Sequence, residues 1–237
     1  MKYPNFREEK KLWRERYRRV VGLDEVGRGP LAGSVVAAAV CLRKNPKTDG
    51  ELFSVSLTEN SSLQIKDSKK LSPKKREEVY KILKDNPNVE WGIGRVSERV
   101  IDKINILEAT KLTMKRAVKN LEKKLDKKSK NRSCQKSSDR TIFGRLDFLL
   151  IDGNFSINLD IPQKSIIKAD EKVFSCAVAS IIAKVTRDRM MLRYHKKYPC
   201  YCFDKHKGYP TKFHRKMLKK YGPCKIHRKS FRPIAKV

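Results

Sequence analysis

Apolar residues along this chain come in short unbroken runs set in polar surroundings. Val20-Val21-Gly22-Leu23 is one such run, and Val35-Val36-Ala37-Ala38-Ala39-Val40-Cys41 is another. Runs this short, rich in β-branched residues and flanked by glycine, read as buried strands. They predict strands over 18–24 and 33–42. No space is left for a helix between them, so they pair as a hairpin. Val89 to Val96 alternates enough for a third strand, Leu146 to Asp152 is a strongly apolar fourth, and 165–168 is a short fifth. Helical spacing fills the intervals. Residues 5–17 offer Phe6, Trp13 and Tyr17 for packing. Ser72 before Pro73 is an N-cap followed by a first-turn proline, which opens a helix over 73–85. Ser97 and Glu98 open another that runs to about 125. Residues 171–197 place Phe174, Val178, Ile181, Ile182 and Val185 on one stripe, with Ser180, Lys184 and Arg187 on the opposite one.

Strands interleaved with helices imply an α/β fold, and the hairpin makes its sheet mixed. The division expected is a main domain over 1–197 and a basic tail, 198–237, punctuated by prolines and forming short helices packed on it. Residues 123–145 are rich in Lys, Arg, Ser and Asn with almost nothing apolar before Ile142, and predict a mobile basic loop. Charge sharpens the picture: 57 Lys plus Arg stand against 26 Asp plus Glu, a formal net charge of +31. That balance points to a polyanionic partner, most simply nucleic acid. The N-terminus is charged without an apolar core, and no stretch is long enough to span a bilayer, so a monomeric protein of the reducing cytoplasm, with no membrane partner, is expected. Cys200-Tyr201-Cys202 lies near His206, His214 and Cys224, but Cys-x-Cys is a poor match to zinc spacing.

The candidate chemistry lies in acids at strand ends. Asp24-Glu25 closes the first strand and opens into Gly27-Arg28-Gly29; Asp152 closes the fourth; Asp170 follows the fifth. Taken alone, each has a plain structural reading as a solvated turn acid or, for Asp170, a helix cap. Taken together at one edge of a sheet, four carboxylates repel unless cations neutralise them. Two divalent ions about 4 Å apart would do so and would clamp a phosphodiester for in-line hydrolysis. An all-oxygen ligand set favours Mg²⁺ or Mn²⁺. A strand puts successive side chains on opposite faces, so Asp24 and Glu25 serve one site only through a bulge or twist. Ser68, Lys69, Lys184 and Arg187 are candidate phosphate contacts. The competing reading is a basic nucleic-acid binder without catalysis.

Asp24-Glu25-Val26-Gly27-Arg28-Gly29-Pro30-Leu31-Ala32-Gly33 resembles the opening motif of bacterial ribonuclease HII. Further blocks follow in that family's order: Asp67-Ser68-Lys69-Lys70-Leu71-Ser72, Ile151-Asp152-Gly153-Asn154, Lys168-Ala169-Asp170, Ala179 to Asp188, His206 to Lys212, and Gly222 to Phe231. The resemblance spans nearly the whole chain. It implies the ribonuclease-H-like fold with a helical C-terminal lobe, and Asp24, Glu25, Asp152 and Asp170 as catalytic metal ligands. It implies cleavage of the RNA strand of RNA–DNA hybrids and incision beside ribonucleotides in duplex DNA. Gly27, Arg28 and Gly29, with Tyr209, then recognise a ribonucleotide followed by DNA. Two positions depart from the pattern: Ser34 stands where proline is usual, and Ala169 where glycine is common.

Overall fold

The computed structural model describes residues 3–42, 71–132 and 146–235. Five strands form one sheet: β1 (Val20–Val26), β2 (Val35–Leu42), β3 (Val89–Val96), β4 (Phe148–Asp152) and β5 (Gln163–Ile166), in the order β3-β2-β1-β4-β5. β1, β2 and β3 run antiparallel as a meander, whereas β4 and β5 are parallel to β1 and to each other. The expected hairpin and the mixed sheet are both present. β5 begins two residues earlier than its apolar pattern suggests and ends at Ile166.

The Ala37-Ala38-Ala39 run lies at the centre of the sheet, buried on both faces. Ala38 and Val40 face one layer with Leu42, under α1 (Arg7–Arg14), α2 (Pro73–Asp85) and α4 (Phe174–Lys197). Ala37, Ala39 and Cys41 face the other, against Met114, Ala117, Val118 and Leu121 of α3 (Glu98–Arg132). The period of two in the strand thus sorts the run into two cores. Helix α4 crosses β1 very closely. A Cβ at Gly22 would stand 2.4 Å from the Ser175 carbonyl carbon, so only glycine permits this approach.

Three expectations need correction. The helix from 97 is not one straight rod: Asn105 adopts φ 66°, and its Oδ1 accepts from the Leu107 and Glu108 amides at 2.9 and 3.1 Å. A polar cap inside the helical pattern starts a second helix there. Second, the basic segment from 123 is helical to Arg132, where Lys124 and Lys128 pair with the buried Glu90 carboxylate of β3. Residues 133–145 lie outside the described residues. Third, the α4 stripe that carries the candidate phosphate contacts Lys184 and Arg187 is largely withdrawn from solvent, since its Ser180 and Arg187 are buried. The C-terminal elements cover it. These are α5 (Phe203–His206), α6 (Lys212–Tyr221) and α7 (Arg232–Ala235), with a short 3-10 turn at Pro199–Tyr201. Their core of Tyr201, Phe203, Leu218 and Ile226 packs on Leu31, Ala32 and Met191.

Candidate active site

Parallel pairing of β1 with β4 sets Leu23 opposite Ile151, so the acids that follow, Asp24 and Asp152, emerge side by side. β4 pairs with β5 up to Asp152 opposite Ile166. The chain then turns at Lys168, in left-handed backbone with φ 56°, into a 3-10 turn, Ala169–Glu171, that carries Asp170. The Ala169 amide donates to Asp152 Oδ1 at 2.8 Å, which ties this turn to the end of β4. Alanine in place of glycine is therefore accommodated, because the left-handed residue is its neighbour. Carboxylate oxygens of Asp24, Asp152 and Asp170 all lie within 4.8 Å of one another. Asp24 and Asp170 are only 5% and 3% exposed.

Glu25 is not part of that group. The β1–β2 register runs unbroken through Asp24 and Glu25, so no bulge turns the second acid inward. Asp24 shares the α4 side of the sheet and Glu25 the other. Glu25 Oε1 accepts from Arg28 Nη1 at 3.4 Å, while its buried Oε2 has no hydrogen-bond partner. Asp24 Oδ1 accepts the Glu25 amide at 2.7 Å. Burial raises Asp24 well above the usual carboxylate range, repulsion from Glu25, Asp152 and Asp170 adds to this, and a hydrogen bond from Ser180 opposes it. Burial likewise lifts Glu25 to about 7, against the pull of Arg28. An all-oxygen cluster of mutually repelling, desolvated carboxylates fits a hard divalent cation. The unpartnered Glu25 oxygen at its edge fits a further contact to one.

The glycine-arginine-glycine loop follows directly. Gly27 has φ +95°, and a Cβ there would lie 2.3 Å from Arg187 Nε. Arg28 is largely exposed. The Tyr209 ring lies beside this loop, 3.8 Å from where a Gly29 Cβ would sit, and is 39% exposed. Lys184 Nζ is bonded to Asp188 at 2.8 Å, one helical turn beyond Ser180. Arg187 is not a phosphate contact: it is fully buried, and its guanidinium donates to the carbonyls of Ser34, Lys207 and Ala32 at 3.1, 2.9 and 3.0 Å. Ser68 and Lys69 lie outside the described residues. Ser180, which helical spacing placed on the polar stripe of α4 without a role, hydrogen-bonds Asp24.

Comparison with known proteins now decides the family. Residues 21–234 match the family described as Ribonuclease HII. This chain belongs to the ribonuclease HII family. It is 44% identical over 226 residues to the ribonuclease HII of Alkaliphilus metalliredigens, covering 94% of each chain. It is 46% identical over 218 residues to that of Chlamydia muridarum, covering 92% of this chain and 84% of the relative. Among solved structures, ribonuclease H2 from Pyrococcus horikoshii shares its fold, with a TM-score of 0.60 and 24% identity over 92% of this chain and 96% of that one. As a ribonuclease HII the chain is a type 2 ribonuclease H, a hydrolase with endonuclease activity, and not a binder alone. No helix among the described residues is long and apolar enough to cross a membrane.

Proposed function

We propose that this ribonuclease H cuts the RNA strand of RNA–DNA hybrids and incises duplex DNA on the 5′ side of an embedded ribonucleotide, leaving a 3′-hydroxyl and a 5′-phosphate. One observation carries the reading: the strand that ends in Asp24 of the Asp24, Asp152 and Asp170 cluster runs straight into the Gly27-Arg28-Gly29 loop, where Arg28 and Gly29 are exposed and the Tyr209 ring lies alongside. Asp24, Asp152 and Asp170 hold the divalent ions, Mg²⁺ or Mn²⁺, and Glu25 joins them through its unpartnered oxygen. Two such ions, once bound, supply an activated water and a stabilised leaving 3′-oxygen. Ser180 keeps Asp24 oriented by its hydrogen bond. The Gly27-Arg28-Gly29 backbone bonds the 2′-hydroxyl, the group that separates RNA from DNA at a single sugar. Tyr209 stacks on the next sugar, where its ring leaves little space for a second hydroxyl. Lys184, with Ser68 and Lys69, contacts the phosphate backbone. The enzyme acts as a monomer in the cytoplasm.

A site built to bond a hydroxyl rejects substrates that lack it, because its polar groups are then left unpaired. Tyr209→Ala is expected to lower the rate at a single ribonucleotide relative to the rate on an all-RNA strand paired with DNA, by about tenfold. An unchanged ratio of the two rates makes Tyr209 a packing residue and places junction reading elsewhere.

A further inference from the structure

Two adjacent residues near the end of the chain reach both halves of this ribonucleotide reader. Arg228 is fully buried, with no carboxylate at its guanidinium among the ion pairs of the described residues. Its donors go instead to backbone carbonyls. Nη2 bonds Gly27 O at 2.5 Å, Nη1 bonds Arg28 O at 2.8 Å, and Nε bonds Gly33 O at 2.9 Å. One planar, rigid fork therefore sets the course of the loop from both of its ends. The ring of Phe231 lies against the fork at 5.1 Å.

His227 reaches the other half through a relay whose proton positions are dictated by its ends. The Cys224 amide donates to His227 Nδ1 at 2.9 Å, so that nitrogen is an acceptor and Nε2 carries the proton. His227 Nε2 then donates to His214 Nε2 at 3.0 Å. His214 is left with its proton on Nδ1, which donates to Tyr209 O at 2.9 Å. His206 stacks on His214 at 4.4 Å and accepts the Gly208 amide at Nδ1. Burial holds His214 and His227 down to about 4, so both stay neutral and the relay keeps its direction at working pH. No metal is needed to explain this cluster, because its nitrogens are occupied by one another and by backbone.

We propose that His227 and Arg228 are positioning residues for ribonucleotide recognition, Arg228 by fixing the Gly27-Arg28-Gly29 loop and His227 by fixing Tyr209 through His214. The proposal rests on the reading that this loop and this tyrosine recognise the ribonucleotide. It explains why the C-terminal segment packs where it does: one dipeptide sets the spacing between the group that bonds the 2′-hydroxyl and the ring that excludes the next.

The two arms have separable effects. Both substrates present a 2′-hydroxyl at the cut, but only the single ribonucleotide is followed by DNA. Arg228→Lys is expected to lower kcat about tenfold on both substrates, with KM within about threefold, since the basic surface still supplies affinity. His227→Phe is expected to lower the ratio of single-ribonucleotide to hybrid rates about tenfold, and to add nothing to Tyr209→Ala in the double variant. His227→Gln keeps a donor near the Nε2 position and should recover most of that ratio. The rates are measured with Mg²⁺ on purified variants whose melting curves show a folded protein. Equal loss on both substrates in His227→Phe, additivity with Tyr209→Ala, or no recovery in His227→Gln overturns the proposal. So does failure of all three single variants to fold, which makes the segment a stability element alone. A wild-type enzyme that does not cut at a single ribonucleotide removes the underlying reading instead, and is seen without any variant.

Discussion

The three clustered carboxylates divide their work by environment. Asp24 is deeply buried, bonded by Ser180 and crowded by three other acids, whereas Asp152 is held by the Ala169 amide at a strand end. Asp152→Asn is expected to reduce turnover by at least about 10³-fold while leaving duplex affinity within a few-fold, because affinity comes from the basic surface. Steady-state cleavage and a binding titration on the same preparation test this, and near-normal turnover removes Asp152 from the chemistry. Gly27→Ala is expected to destabilise by about 1–3 kcal/mol and to impair cleavage as well. Its φ of +95° is strained for alanine, and the new methyl would meet the Arg187 guanidinium. A denaturant melt unchanged from wild type contradicts that account. At this scale Asp24, Asp152 and Asp170 were legible because each ends an apolar or extended segment. Glu25 was legible only as half of an adjacent pair, since adjacency in sequence is opposition on a strand, and it stands at the edge of the three-carboxylate group. Arg187 misled: among 57 basic residues, nothing local marks one whose surroundings are backbone carbonyls, as those of Arg187 and Arg228 are.

Between elements, the site is the meeting of β1, β4 and the turn after β5, and its cost is electrostatic. Asp24 and Glu25 hold protons more tightly folded than unfolded, Glu25 up to about 7. Such groups favour the fold while protonated, and that contribution disappears as pH rises through the folded value. His214 and His227 act in the opposite direction: held down to about 4, they add stability as pH rises from there through the ordinary imidazole value of 6.5. The two trends offset each other near neutrality in the metal-free protein, whereas a cation at the cluster competes with protons on the carboxylates alone. Added Mg²⁺ is therefore expected to raise the Tm, relative to EDTA at the same pH, more at pH 8.5 than at 6.5. A Mg²⁺ effect independent of pH contradicts the assignment. The strands and α2 were legible because short apolar runs and the Ser72-Pro73 cap are local signals; the Ser72 side chain does accept the Lys75 amide at 3.2 Å. The break at Asn105 and the helical course of 123–132 were not. One depends on a single capping side chain, and the other on lysines pairing with Glu90, a contact distant in sequence.

Across the whole molecule, a net charge of +31 surrounds a small buried acidic centre, and the C-terminal elements bring Tyr209 to the loop that follows Asp24 and Glu25. A surface of this charge attracts polyanions without regard to sugar, so in the proposed reading discrimination rests on that one juxtaposition, which no segment of the chain contains by itself. The resemblance to ribonuclease HII made the family legible; the joining of loop, ring and His227-Arg228 dipeptide became visible only in three dimensions. The most direct test uses an end-labelled DNA duplex with one internal ribonucleotide, incubated with the protein in Mg²⁺, Mn²⁺ or EDTA, with the products sized and their ends assigned by ligation and phosphatase treatment. The account predicts a single cut on the 5′ side of the ribonucleotide in either metal, leaving a ligatable 5′-phosphate on the ribonucleotide and a 3′-hydroxyl upstream, and no cut in EDTA. A cut on the 3′ side, a cyclic phosphate end, or undiminished cleavage in EDTA would contradict it.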